Sequence, residues 1–485
     1  MSFNGFIGKM NGAAQERIKN IILAVLLICM VLLLYFLWQK TTVHKPINLA
    51  IKEQEAFKAS AIFRPTSVSV CSGEDYYKQA QSWGPRFMVL ASDFLNQELT
   101  IEEITPAQFD EIMRYPSIRA NFNYTVPYED FCNEFGVKKP AGRNHIFKLS
   151  SIGYSKETPG NLFIYDAWGG KYYRIYNGAD SKPLDKLNDI IDGVNSEDTV
   201  QLYKLSRFLG NRVSGDAMLP VYLDVDMPEF EFERDFDIAN PDDVRDIAES
   251  YFGRNLDFVR KIQEKNGTKI FMYGYGEQTL ILYPSGVVEY KEGTDEAASN
   301  TDYFGGMQIA LNFIAKHGGF DSLKGTGFTP YLFEVEPLSG DVGYRYVFGV
   351  KFNEHRVYSE EGMPFEVEVM GERVIYMKRA AIHCERPIAA YTAQHREPQH
   401  EPINALAMNY KNMRRILIEE GQFKPEELKT FEALAMKISR IRYGYLIMHG
   451  ADVLKPAWIV SAGDIDMYFD LYSAEPLGFG IVRGD

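Results

Sequence analysis

The feature that most constrains this 485-residue chain is an unbroken apolar and aromatic run from Ile21 to Trp38. Its eighteen residues include no charge, Gly or Pro. A helix of that length rises roughly 27 Å, about the thickness of a bilayer's hydrocarbon core. Tyr35 and Trp38 suit the interfacial layer at one end, and Lys19 and Lys40 bracket the run. A cleaved secretory signal has an apolar region of only about 7–15 residues. The first A-x-A triplet here, Ala59-Ser60-Ala61, also lies far past the end of the run. The sequence therefore predicts an uncleaved single-pass anchor with ends at Ile21 and Trp38.

Flanking charge alone does not orient such a span. Lys9, Arg17 and Lys19 precede it, while Lys40, Lys45, Lys52 and Lys58 follow. Long segments behind one N-terminal span are commonly translocated whatever their charge. The first sixty residues carry a net +4, so the remainder carries −18 of the overall −14. An acidic surface of that kind avoids anionic lipid. The expectation is a cell-membrane protein with a cytoplasmic N-terminus and extracytoplasmic bulk. The same acidity argues against nucleic-acid binding, which needs basic stripes to neutralise phosphates. With 46% apolar residues the chain has ample material for packed domains. Cys29 lies in the span, and Cys71, Cys132 and Cys384 form no C-x-x-C pair. A disulfide framework is not expected.

Periodicity and punctuation divide the chain into a tail at 1–20, the span at 21–38, a connector at 39–60, and three outer domains at 61–215, 216–300 and 301–485. In the first domain, Thr66–Val70 alternates as a strand, and Pro106 opens a helix reaching Met113. His145–Ser151, Leu162–Tyr165 and Tyr172–Tyr176 read as a meander turning at Gly169-Gly170. In the second, Glu229–Glu233 alternates acid and aromatic as a strand with one wet face. Asn240-Pro241-Asp242-Asp243 combines cap, proline and first-turn acids, so a helix starts there, buries Val244, Ile247, Ala248 and Tyr251, and ends at Gly253. Strands follow at Lys269–Tyr275, Thr279–Tyr283 and Val287–Tyr290.

In the third domain one order of elements occurs twice. A helix at Tyr303–Lys316 closes on His317-Gly318-Gly319. Strands at Tyr331–Glu336, Tyr344–Phe352, Phe365–Val369 and Arg373–Tyr376 come next. A second helix, Ile403–Glu420, closes on Gly421, and a shorter one starts at Pro425. Strands then run through Ile438–Ile447, Trp458–Val460 and Met467–Leu471. Helices followed by antiparallel strands predict an α+β fold, with helices on one face of each sheet and the last domain a candidate duplication.

No catalytic constellation is visible, and no cofactor motif either. G-x-x-x-x-G-K-[ST], H-E-x-x-H and G-x-S-x-G do not occur, and Gly274-Tyr275-Gly276 is not extended into G-x-G-x-x-G. His383, Cys384, His395 and His400 cluster around Pro387, Pro398 and Pro402, which reads as a polar exposed linker; no metal site is expected. The carboxylates of Glu229–Glu233 lack the spacing and Gly of a calcium loop and read as a solvated face. No small-molecule substrate is evident.

Several stretches resemble the YycH family of membrane-anchored regulators of the WalK sensor histidine kinase in low-GC Gram-positive bacteria, and are similar to its companion YycI. In the middle domain they are Tyr251-Phe252-Gly253-Arg254-Asn255, Tyr273-Gly274-Tyr275, Leu280-Ile281-Leu282 and Val288-Glu289-Tyr290. Phe313-Ile314-Ala315-Lys316-His317-Gly318-Gly319 is similar to a family helix ending before paired glycines. Farther on, Phe365–Val369 with Val374–Arg379, and Ile441-Arg442-Tyr443-Gly444-Tyr445 leading to Leu454-Lys455-Pro456-Ala457-Trp458-Ile459, resemble the C-terminal region. The Pro-Ala-Trp strand followed by Met467–Leu471 also resembles PepSY-like modules. The loop Asn353-Glu354-His355-Arg356-Val357 departs from the family in lacking a Gly-Pro turn, and the tail after Ser473 has no counterpart.

The resemblance implies a non-catalytic regulator of a two-component sensor kinase controlling cell-wall metabolism. Its single helix would sit in the lipid bilayer, and its partners would be the sensor histidine kinase and a YycI-like sibling. Two other readings stay open. One is a membrane-tethered binding module for wall polymer or peptide, with exposed Tyr rings stacking on sugars. The other is an extracytoplasmic hydrolase with dispersed catalytic residues.

Overall fold

The computed structural model describes residues 57–481 apart from 74–75, 81–82, 115, 137–147, 178–181, 195–198, 210–216, 222–226, 234–235, 294–300, 321–327, 341, 353, 361, 381–382, 389–399 and 449–452, together with positions 20, 23, 26–31 and 33 of the N-terminal run. Residues 1–53 and 54–485 are separate units. In the first, the described positions are helical, and Leu23, Leu26, Ile28, Met30, Val31 and Leu33 are each more than half exposed. The expected span ends, Ile21 and Trp38, lie outside the described residues. Among the described residues no helix is long and apolar enough to cross a membrane.

The second unit is α+β and contains two large sheets. The first is built from β1 (Ser67–Gly73), β2 (Tyr76–Gln79), β3 (Thr100–Ile104), β4 (Ser117–Pro127), β5 (Lys148–Ser155), β6 (Asn161–Asp166), β7 (Lys171–Tyr176), β8 (Val200–Lys204) and β9 (Met218–Val221). Its order is β3-β7-β6-β5-β4-β1-β2-β8-β9, antiparallel throughout. The predicted meander is β5–β7, turning at Gly170 with φ +62°; His145 lies outside the described residues.

Helices α1 (Ala59–Ile62), α2 (Trp83–Leu95), α3 (Pro106–Ile112) and α4 (Tyr128–Phe135) accompany this sheet. Helix α3 begins as predicted, with Pro106 in its first turn and a capping box between Thr105 and Gln108. Helix α2 was not legible, because Gly84-Pro85 reads as loop punctuation. Both fit its first turn, and Trp83, Phe87, Leu90, Ala91 and Phe94 form one buried stripe. Helix α5 (Lys182–Gly193) packs beside α2, burying Leu184, Leu187 and Ile190–Ile191.

The second sheet begins with β10 (Phe230–Glu233) and then follows one plan three times. Helix α6 (Pro241–Phe252) precedes β11 (Arg260–Gln263), β12 (Lys269–Tyr273), β13 (Gln278–Leu282) and β14 (Val287–Glu292). Helix α7 (Tyr303–Lys316) precedes β15 (Phe328–Pro337), β16 (Gly343–Phe352), β17 (His355–Ser359), β18 (Phe365–Met370) and β19 (Arg373–Ala380). After β20 (His383–Ile388), helices α8 (Pro402–Met408), α9 (Tyr410–Glu419) and α10 (Phe431–Ala435) precede β21 (Ile438–Ile447), β22 (Val453–Ala462), β23 (Ile465–Asp470) and β24 (Pro476–Ile481). The stretches join edge to edge, through antiparallel β14–β19 and parallel β17–β21.

Caps and apolar spacing explain the helices. Asn240 caps α6 through Asp242 N and Asp302 caps α7 through Gly305 N. On α7 the predicted Phe304, Met307, Leu311 and Ile314 are buried against β16, β18 and β19.

Three expectations need correction. The helix read over Ile403–Glu420 breaks at Asn409, whose Nδ2 donates to Ala405 O at 3.0 Å and to Ala474 O at 2.7 Å. The strand read to Tyr275 stops at Tyr273, since Gly274-Tyr275-Gly276 forms a tight turn with positive φ at all three residues. Part of the supposed linker, His383–Ile388, is a strand paired with β10.

One core runs through both sheets. Phe63, just after α1, stacks on Phe122 of β4 at 5.4 Å and meets Phe304 of α7 edge-on at 5.4 Å. Gln308 of α7 receives Ala59 N and donates to Phe57 O.

Candidate functional site

Strand alternation makes the second sheet two-faced. Tyr346, Phe348, Val350 and Phe352 of β16 enter the core, which leaves Arg345, Val347, Gly349 and Lys351 on the opposite face. Register then gathers cations there. The short turn between β16 and β17 sets Lys351 directly opposite Arg356. The parallel β17–β21 pairing aligns Tyr358 with Leu446, so Arg440 and Arg442 share this face with Ser461 of β22 and Asp466 and Tyr468 of β23.

Two glycines let aromatic rings lie flat across neighbouring strands. Tyr331 of β15 pairs with Gly349, where an added Cβ would come within 2.4 Å of the Tyr331 ring. At Gly444 a Cβ would meet Arg356 O at 2.3 Å and the Tyr358 ring at 2.9 Å. Neither position has room for a side chain.

Arg442 is fixed by charge-assisted bonds. Its Nη2 donates to Ser461 Oγ at 2.7 Å and to both Asp466 carboxylate oxygens at 2.9 Å, and Ser461 Oγ donates to Asp466. Its guanidinium lies 5.2 Å from the Tyr358 ring centroid. Arg356 and Lys351 lie 5.3 and 5.7 Å from the Tyr331 centroid. Arg356 also donates to Thr66 O, tying the site to the first sheet.

Burial and mutual repulsion disturb these charges. Burial, then Arg356, holds the Lys351 ammonium down to about 8. Burial and then Arg442 lower Arg440. Nearby Glu334 is pushed up to about 7, first by burial and then by Glu336. Arg345 makes its short contacts with Glu336 at 2.6 Å and Glu366 at 2.7 Å, and stands 4.0 Å from Glu334. The Tyr331 and Tyr358 hydroxyls and Arg442 Nε are buried without a hydrogen-bond partner among the described residues. This face thus gathers four cations, Lys351, Arg356, Arg440 and Arg442, beside two buried tyrosine rings. Its members are strand residues that the sequence reading passed over. Arg440-x-Arg442 does show two cations on one face of a strand, but only the register adds Lys351 and Arg356.

A second concave place is a groove of about 480 Å³ between α6 and the β11–β12 hairpin. Val244, Ala248, Leu256, Ile262 and Phe271 line it, with Arg245 and Lys261 at its margin. It adjoins β11, the edge strand of the sheet.

The residues weighed from sequence for metal chemistry fall in separate parts of the chain or outside the described residues. His383 and Cys384 lie in β20, His400 lies at a bend, and His395 is outside the described residues. Among the described residues no group of three or more His, Cys, Asp or Glu is placed to hold a metal ion. In the acidic–aromatic strand, Phe230 is buried and Glu231 exposed.

No protein-family model matches the sequence, and no curated protein matches it. Among solved structures, the crystal structure of YycH from Bacillus subtilis is similar with a TM-score of 0.51 at 12% identity, covering 84% of this chain and 96% of that one. The Bacillus megaterium YpeB C-terminal domain has a TM-score of 0.25 at 10% identity, covering 50% of this chain and 98% of that one. The first likeness shows the fold: the chain has a YycH-like α+β architecture.

Proposed function

We propose that this chain is a non-catalytic, membrane-anchored regulator of a two-component sensor histidine kinase of the WalK type, acting on cell-wall metabolism from the outer face of the membrane. The observation that carries the reading is the YycH-like fold extending over 84% of the chain. The exposed apolar helical positions of the N-terminal run support an anchor in lipid. In this reading the helix packs beside the kinase's membrane helices, while the outer unit contacts the kinase's sensor region and a YycI-like sibling. The edge strand β11 and its adjoining groove offer a place for an extended partner segment to add. Contacts that differ by about 1–3 kcal/mol between two kinase states shift its activity about 5–150-fold.

Deleting the gene and measuring phosphorylation of the cognate response regulator tests the reading. The expected outcome is a several-fold change, with the kinase recovered from membranes crosslinked through this chain. Unchanged phosphorylation with no kinase recovered would sink it.

A further inference from the structure

We propose that the β11 edge and its groove receive an extended, acidic segment of a partner protein, which adds to the sheet as a further strand. This deepens the regulatory reading, on which it rests for the partner's role, by naming the chemistry of the segment received.

The backbone supplies the first observation. Among the described strands β11 pairs with β12 alone, so the N–H and C=O groups along its outer edge have no strand partner. The groove of about 480 Å³ adjoins that edge and is lined by Val244, Ala248, Leu256 and Phe271. Main-chain donors and acceptors beside an apolar trough suit an extended chain, which pairs with the edge and sends alternate side chains into the trough. The chain joins its own sheet segments in the same way, edge to edge, at β14–β19 and β17–β21.

Charge names the occupant. Among the described residues that line the groove, Arg245, Lys261 and Lys269 are cations and none is a carboxylate. Arg245 is engaged by Glu249 at 2.7 Å, and Lys269 Nζ donates to Ile238 O at 2.6 Å. Lys261 and its neighbour Arg260 are exposed and make no ion pair among the described residues. Asp243, in the first turn of α6, is occupied in accepting from Asp237 N and Asn240 Nδ2. In a chain of net −14 this edge is a local exception. The same two cations disfavour a second copy, because paired β11 edges would bring like charges together. An acidic segment gains from the charges that a second copy would suffer.

Two rings supply the third observation. Phe258, two residues before β11, is 77% exposed, and Tyr275, two residues past β12, is fully exposed with φ +31°. Arg260 pairs with Met272, so both rings stand at one end of the hairpin. Edge-strand cations alone would serve to keep sheets apart, but that role needs neither a groove nor exposed rings.

The probe is a fluorescein-labelled peptide, Glu-Val-Glu-Phe-Glu-Val-Glu, titrated with the full chain in neutral detergent and read by fluorescence anisotropy against empty micelles. Saturable binding is expected, with amide exchange slowed at residues 260–263. A peptide with Lys in place of Glu should bind about tenfold or more weakly, and so should the acidic peptide with its backbone nitrogens methylated. Arg260→Glu combined with Lys261→Glu should weaken the acidic peptide to the same extent and leave Tm unchanged, because both side chains are exposed and unpaired. Phe258→Ser should weaken it several-fold, again at unchanged Tm. No saturable binding, or binding that survives the charge reversal or the methylation, overturns the proposal. A dimer of the full chain in sedimentation, dissociated by the peptide, would give the edge to a second copy and overturn it too. The regulatory reading is judged separately. If the peptide fails to bind while gene deletion alters response-regulator phosphorylation, only the docking proposal falls. If the peptide binds as expected while phosphorylation is unchanged, only the regulatory reading falls.

Discussion

At the scale of single residues, His317 shows how burial converts into pH dependence. The residue is 4% exposed, its ring stacks on Tyr251 at 4.0 Å and 13°, and it meets Phe313 at 4.4 Å. Its Nδ1 lies 3.4 Å from Ser250 Oγ. Burial, then Lys316 and Arg379, depress the imidazole to about 3. The unfolded chain takes up this proton near pH 6.5, whereas the folded chain refuses it until about pH 3. The stabilisation is therefore complete above pH 6.5 and is lost as pH falls towards 3. At about 1.4 kcal/mol per pH unit, His317 should cost about 2 kcal/mol between pH 6.5 and 5. Denaturant unfolding of wild type and His317→Phe across that range checks it, and parallel curves would show that His317 does not contribute. The sequence reading correctly ended α7 at this residue, from the paired glycines. It could not see the ring's fate, because Tyr251 is brought there by a different helix. The candidate site is illegible for the same reason: Tyr331, Lys351, Arg356 and Arg442 meet only through strand register.

At the scale of elements, local signals worked where local physics decides and failed where a distant group does. Helix α7 and strand β21 have the bounds that their caps and alternation predict, Tyr303–Lys316 and Ile438–Ile447. The spacing of Ile403, Leu406, Tyr410, Met413 and Leu417 predicts one helix with equal clarity, yet Asn409 interrupts it. That side chain is buried, and its Nδ2 bridges Ala405 O to Ala474 O, beyond β23. Ala474 itself has φ +60°, a left-handed conformation that is costly for a residue with a Cβ. Removing the donor strands a buried carbonyl, so Asn409→Ala should destabilise by about 1–3 kcal/mol. Asn409→Asp keeps the shape but replaces two N–H donors with a buried charge, so it should cost more than the alanine variant. Urea unfolding of both measures the order. An aspartate variant milder than alanine would show that Asn409 acts through shape instead of donation. The parallel β17–β21 pairing is the matching case among strands, since nothing local to either strand announces its partner.

At the scale of the whole molecule, charge and hydropathy divide the chain in a way that can be tested directly. The segment up to residue 60 carries +4 and contains the apolar run, whereas the remainder carries −18. Residues 54–485 form their own unit, and its core begins at once: Gln308 of α7 grips Phe57 and Ala59, and Phe63 joins both sheets. Helix α7 in turn covers β16, β18 and β19 on their core side. A basic segment could also hold the chain to anionic lipid by charge alone, but salt screens such attraction within about 10 Å at 0.1 M. An apolar helix is instead held by burial of its side chains, which salt does not weaken. The full chain should thus remain with membranes through high-salt washing and come off only in detergent. A chain beginning at residue 54 should stay in solution with an unchanged thermal midpoint. Release of the full chain by salt would reduce the N-terminal run to a charged tether, and a lowered midpoint in the shortened chain would mean that the outer unit needs that run to fold.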